Sequence, residues 1–163
     1  MQPYLICLDL DGTLLNDNKE ISSYTKQVLT ELQQRGHYIM IATGRPYRAS
    51  QIYYHELNMN TPVVNFNGAY VHHPKAQDFE TIHEVLDVEI SKNIITALQQ
   101  SHVTNIIAEV KDYVFINNHD PRLFEGFSMG NPKIQTGNLL EQLNESPTSL
   151  LVEADEDLSL IHI

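Results

Sequence analysis

Basic residues are scarce in this chain: 10 Lys and Arg stand against 21 Asp and Glu, for a formal net charge of −11. That balance disfavours nucleic acid and anionic membrane surfaces as partners. Small anionic substrates stay open, because a metal ion can reverse the local field. Cysteine is nearly absent. The one thiol, Cys7, lies inside an apolar run, where a buried, inert side chain is expected rather than a nucleophile. No basic N-terminal region leads into a long apolar run, so no signal peptide is visible. No apolar segment approaches a membrane span. These absences together point to the cytoplasm. None of the eight histidines falls in an H-x-x-x-H or Cys/His cluster, and no internal repeat is seen. What is present suffices for a core: 163 residues, 42% hydrophobic and 19% charged, suit one or two small folded domains.

The chain is organised around Leu5-Ile6-Cys7-Leu8-Asp9-Leu10-Asp11-Gly12-Thr13-Leu14-Leu15. Its apolar opening reads as a strand buried on both faces. Asp9 and Asp11, spaced i, i+2, then fall at the strand's carboxyl end, where open α/β sheets place their ligands. Gly12 permits a tight turn and close approach to a ligand. Two carboxylates there form a hard oxygen site suited to Mg²⁺. A turn with a solvated acidic tip is one rival. A Ca²⁺ loop is another, but an EF-hand needs glycine sixth and a helix in front, whereas Gly12 is fourth and follows a strand.

A helix capped by Ser22 or Ser23 runs to about residue 34, with Val28, Leu29 and Leu32 buried and Gly36 as its stop. Residues 38–43 form a second buried strand, so strand, helix and strand imply a parallel pair with a right-handed crossover. Thr43-Gly44-Arg45-Pro46 follows it. A hydroxyl, a glycine and an arginine at a helix start make a phosphate cradle, or an ordinary turn with an exposed arginine. Residues 63–66 form a third strand, and Asn67-Gly68 signals a hairpin. His72 and His73 read as surface residues. From about residue 84 the pattern changes. Asp87 caps a helix with Ile90, Ile94 and Leu98 on one face. Residues 105–110 and 113–117 form a hairpin, 126–138 a loop, 139–143 a short helix, and 150–152 a strand.

The D-x-D-G-T-L stretch resembles the signature of the haloacid dehalogenase superfamily, mostly phosphatases that pass through an aspartyl-phosphate. T-G-R-P and N-G-A resemble the Cof-type branch of sugar-phosphatase-like proteins. The resemblance implies an α/β fold, a Rossmann-like parallel-sheet core over residues 1–83, incomplete here, with the first part of an inserted α+β cap over 84–157. It implies Asp9 as nucleophile and Asp11 as general acid and base, with a raised pKa from burial or charge crowding. Mg²⁺ would sit on the Asp9 carboxylate and the Asp11 carbonyl. Gly12, Thr43, Gly44 and Arg45 would bind phosphate, and Asn67 would face the substrate. The substrate class is small phosphorylated metabolites, with no nucleic acid or membrane partner and no oligomeric state implied. The family's later lysine and Gly-Asp-x-x-x-Asp motif have no match, and Asp155-Glu156-Asp157 reads as a solvated turn. Residues 158–163 resemble a translated sequencing adapter. The expectation is therefore a fragment, inactive alone, of a Mg²⁺-dependent phosphomonoester hydrolase. The alternatives are a non-catalytic phospho-ligand or Mg²⁺-binding module, or a phosphosugar mutase.

Overall fold

A computed structural model describes residues 2–154. They form two compact units, one up to His83 and one from Glu84 onward. The first contains β1 (Leu5–Leu8), α1 (Ser23–Gln34), β2 (Tyr38–Ile41), α2 (Tyr47–Glu56), β3 (Val63–Asn65), β4 (Tyr70–His72) and β5 (Ile82–His83). β1 and β2 pair in parallel, from Leu5 opposite Tyr38 to Leu8 opposite Ile41. A parallel bridge between Ala42 and Val64 sets β3 beside β2. The chain then doubles back through the antiparallel strands β4 and β5. Ser22 caps α1 by accepting the Thr25 N–H at 3.1 Å, satisfying a donor that the first helical turn leaves orphaned. Leu29 of α1, Ile39 and Ile41 of β2, and Tyr53 and Tyr54 of α2 close the core together with leucines that follow β1.

Three expectations change here. β1 is not buried on both faces: Ile6 and Leu8 pack on the core, while Leu5 is 58% exposed and Cys7 is exposed. Alternate residues of a strand point to opposite faces, and among the described residues nothing covers the Leu5–Cys7 face. β3 ends at Asn65 because Phe66 already lies at φ 50°, so the turn starts one residue before Asn67-Gly68. His72 is half-buried, with its ring edge-on to Tyr47 at 4.5 Å and stacked on Tyr70 at 4.6 Å.

The second unit contains α3 (Val88–Gln99), β6 (Val103–Val110), β7 (Tyr113–Ile116), α4 (Pro121–Phe127), β8 (Lys133–Thr136), α5 (Leu139–Gln142) and β9 (Ser149–Ala154). Its sheet runs β8-β7-β6-β9 and is separate from the strands of the first unit. Ile95 of α3 and Leu139 and Leu143, in and just after α5, pack on Ile106, Ala108 and Val110 of β6. Leu123, Phe124 and Phe127 of α4 pack on Ile107, Val114 and Ile116. The stretch expected as a loop holds the end of α4 and all of β8. Asp120 caps α4 by accepting the Arg122 N–H at 2.8 Å, with Pro121 at its first position. β8 runs parallel to β7. The buried stripe of α3 is also rotated by one residue. Ser91 and Ile95 are buried, whereas Ile90 and Ile94 are 56% and 40% exposed. The late acidic run and residues 158–163 lie outside the described residues.

Two measurements check this packing. Ile95→Ala is expected to cost about 2–5 kcal/mol, as a buried large-to-small change does. Ile94→Ser should stay within about 0.5 kcal/mol. Urea unfolding of both variants orders the two positions. Stability should also depend on pH through His72. Burial lowers its pKa below the ordinary 6.5, with His73 adding repulsion. The unfolded chain then binds the proton more readily, so stability falls as pH drops below about 6.5. The decline in urea midpoint between pH 7.5 and about 5.5 should be shallower in His72→Phe.

Candidate active site

Asp9 directly follows β1, and the chain then winds through one wide turn. Leu14 N–H donates to Asp9 O at 3.2 Å and Leu15 N–H to Leu10 O at 2.9 Å. Leu10, Leu14 and Leu15 are 0%, 7% and 6% exposed, while Asp9, Asp11, Gly12 and Thr13 are exposed. Three apolar anchors thus drive the polar tip outward. Gly12 adopts φ +72°, with no atom within 4 Å of where a Cβ would stand. Backbone conformation rather than space therefore demands glycine there. The Asp9 carboxylate has no hydrogen-bond or ionic partner among the described residues.

The second loop is tied to β3 and its turn. Ala42 N–H donates to Leu8 O at 2.9 Å, and Thr43 N–H to Val64 O at 3.0 Å. Asn67 N–H donates to Thr43 O at 3.2 Å and Phe66 N–H to Arg45 O at 3.3 Å. Asn65 Nδ2 donates to Arg45 O at 2.9 Å and to Ser50 Oγ at 3.0 Å. Phe66 and Asn67 both hold left-handed backbone, φ 50° and 55°, an uncommon and costly state for a bulky residue such as phenylalanine. The side chain of Asn67 lies against Gly44, where an added Cβ would stand 2.9 Å from Oδ1. The Thr43 hydroxyl accepts the Arg45 N–H at 3.2 Å, so its own proton remains available to another acceptor. Pro46 stands just before α2 as its cap residue.

Arg45 joins the two loops. Its Nε donates to Asp11 Oδ2 and its Nη2 to Asp11 Oδ1, both at 2.7 Å. Lys19 Nζ donates to the same Oδ1 at 2.8 Å. The Arg45 guanidinium holds the Asp11 carboxyl well below the usual carboxylate range; burial opposes it, and Lys19 adds to the lowering. This corrects the expectation of a raised pKa: the crowding around Asp11 is cationic, not anionic.

The site residues read from the sequence gather at the carboxyl ends of β1, β2 and β3. Lys19, Tyr53 and Asn65, which the sequence does not single out, contact them: Lys19 bonds to Asp11, Tyr53 lies under Arg45 and Asn65 bonds to the Arg45 carbonyl. Asn65 did leave a signal, because a polar residue inside an apolar strand must find a buried partner. Lys19 left none, since its loop reads only as polar. For Mg²⁺, the exposed and unpaired carboxylate of Asp9 and the carbonyl of Asp11 supply the hard oxygen donors it prefers. The Asp11 side chain is already engaged. Among the described residues no group of three or more His, Cys, Asp or Glu side chains could hold a metal ion.

The close approach at Gly44 yields a prediction. Gly44→Ala should lower stability by about 1–3 kcal/mol, the range for overpacking. Most of that loss should disappear in an Asn67→Ala background, where the clashing amide is gone. A double-mutant cycle by thermal unfolding measures the coupling.

The sequence matches the family model of the haloacid dehalogenase-like hydrolases over residues 6–160. It is 44% identical over 156 residues to the 5-amino-6-(5-phospho-D-ribitylamino)uracil phosphatase YitU of Bacillus subtilis (strain 168), covering 96% of this chain and 58% of that protein. A haloacid dehalogenase-like hydrolase from Bacteroides thetaiotaomicron superposes with a TM-score of 0.75 at 25% identity, over 93% of this chain and 58% of that one. A subclass IIB sugar phosphatase of the superfamily gives 0.68 at 22% identity, over 90% and 56%, a likeness of fold. The chain thus spans little more than half the length of the curated relatives it matches first. With the family match running along nearly all of it and a phosphatase relative aligned beside it, the chain belongs to the haloacid dehalogenase-like hydrolase family.

Proposed function

We propose that this chain carries the nucleophilic half of a phosphomonoester hydrolase that works on small phosphorylated metabolites through an aspartyl-phosphate. The observation that carries the reading is the exposed, unpaired carboxylate of Asp9 at the end of β1. A carboxylate oxygen attacks phosphorus as a nucleophile and forms a covalent intermediate. In line attack by Asp9 forms the Asp9–phosphorus bond as the bond from phosphorus to the leaving oxygen breaks. In this reading Asp11 is the general acid and base. It has to take up a proton from solvent, against the pull of Arg45 and Lys19, before it can give one to that oxygen. It later takes one from the water that hydrolyses the aspartyl-phosphate. The Gly12 amide, the Thr43 hydroxyl and the Gly44 loop would hold the transferring oxygens, with the Asn67 side chain against Gly44. The Asp9 carboxylate and the Asp11 carbonyl would hold Mg²⁺, which would supply charge neutralisation.

The YitU relative supports a phosphorylated ribitylamino-pyrimidine as the first natural substrate to assay. The second unit belongs to a substrate-selecting cap in this reading. A binding-only module is the rival, and the ionic grip on the Asp11 side chain is the observation in its favour.

The test uses the complete gene product with p-nitrophenyl phosphate and Mg²⁺. Asp9→Asn should lower turnover by more than about 10³-fold while the fold persists. Labelled phosphate or beryllofluoride should mark Asp9, and near-normal activity in Asp9→Asn would sink the mechanism. The 163-residue chain should show no Asp9-dependent turnover by itself. A phosphate dianion meets repulsion of about 1–4 kcal/mol per charge pair at 4 Å, and Arg45 and Lys19 are already engaged with Asp11.

A further inference from the structure

We propose that Lys19 is a site residue, and that Lys19, Arg45 and Tyr53 form a clasp that fixes the direction of the Asp11 carboxylate. The kinetic consequence rests on the phosphatase reading; the clasp itself rests on geometry alone.

Asp11 stands on an exposed turn, beside a glycine, with its side chain 43% exposed. A carboxylate so placed turns freely unless it is held. Arg45 grips both oxygens at 2.7 Å in a bidentate pair, and Lys19 adds a third donor at 2.8 Å. An ionised carboxylate has about four acceptor sites. Two donors occupy Oδ1 and one occupies Oδ2, which leaves one open direction, on Oδ2. The clasp therefore selects the oxygen that meets the reacting group.

Stability does not account for the arrangement. The Lys19 side chain is 56% exposed, and exposed ion pairs contribute little to folding. Yet the fold goes to some length to place it. Lys19 holds left-handed backbone at φ 60°. Its N–H donates to Asn16 O at 2.9 Å, and Asn16 N–H donates to Glu20 O at 3.0 Å. Glu20 N–H returns to Asn16 Oδ1 at 3.0 Å. The hydroxyl of Tyr53 donates to the Lys19 carbonyl at 2.9 Å. The same ring lies under the Arg45 guanidinium, 5.6 Å from carbon to centroid. Tyr53 is 3% exposed, so one buried ring contacts both the Lys19 backbone and the Arg45 guanidinium. Lys19 and Tyr53 are positioning residues in this scheme, and Asp11 is the group they aim.

Two measurements test it. In the first, ¹⁵N–¹H NMR of the 163-residue chain follows the Lys19 ammonium. It should be resolved and slow to exchange in the wild type, and should revert to an ordinary surface-lysine signal in Asp11→Asn and broaden in Tyr53→Phe. In the second, the complete gene product turns over p-nitrophenyl phosphate. Lys19→Met should lower kcat about tenfold, part of the 10²–10⁴-fold that a positioned acid–base group supplies, with KM within about twofold. Lys19→Arg should restore most of the loss. A raised KM at unchanged kcat would make Lys19 a substrate-binding residue and overturn the positioning role, and unchanged kinetics would overturn it equally. A surface-like ammonium signal in the wild type would overturn the clasp. If the wild type turns over no phosphate ester, the phosphatase reading fails and the NMR arm still decides the clasp.

Discussion

Four residue pairs, Leu5–Leu8 against Tyr38–Ile41, set the spacing between the two loops that make the site. Parallel strands reach their carboxyl ends together, so the turn after Leu8 and the loop after Ala42 emerge side by side. The Ala42 N–H bond to Leu8 O carries the ladder right up to that edge. A slip of one residue would turn Ile39 and Ile41 outward and carry Thr43 and Arg45 away from Asp11. The core beneath, with Ile39 at 1% and Ile41 at 0% exposure, makes such a slip expensive. Site geometry is in this sense a by-product of strand register.

Much of this was legible in the amino acids. The apolar runs named β1, β2 and β3, and the cap residues Ser22 and Asp87 marked the starts of α1 and α3. These are local signals, set by backbone donors that need partners nearby. The errors lie where a distant element decides. A short apolar run cannot reveal which of its faces is covered, so Leu5 and Cys7 came out exposed. Ile90 and Ile94 form as good a stripe as Ser91 and Ile95 by spacing, and only the sheet below chooses between them. β8 escaped because it has one partly buried apolar residue, Ile134, between turn residues.

The site divides in the same way. Asp9, Asp11, Gly12, Thr43, Gly44, Arg45 and Asn67 sit in three short motifs, and strand topology brings the motifs together. The contacts between the motifs could not be read. The Arg45–Asp11 pair spans 34 positions, and so does the bond from Tyr53 to Lys19. Their effect on Asp11 is opposite to the one inferred from an acidic motif in isolation. Charge counted along the sequence is not charge met in space.

The backbone at Gly12 has a stereochemical consequence. At φ +72° the residue occupies the region natural to an amino acid of the opposite hand. A ribosomal chain has only glycine to fill such a place without strain. The tip between the two carboxylates and Thr13 therefore acquires a side chain only at a cost in backbone strain, however much room lies around it. Whatever approaches Asp9 there meets bare peptide. Diversity in what this scaffold recognises has to be written at other positions, and the tip stays chemically silent while they change.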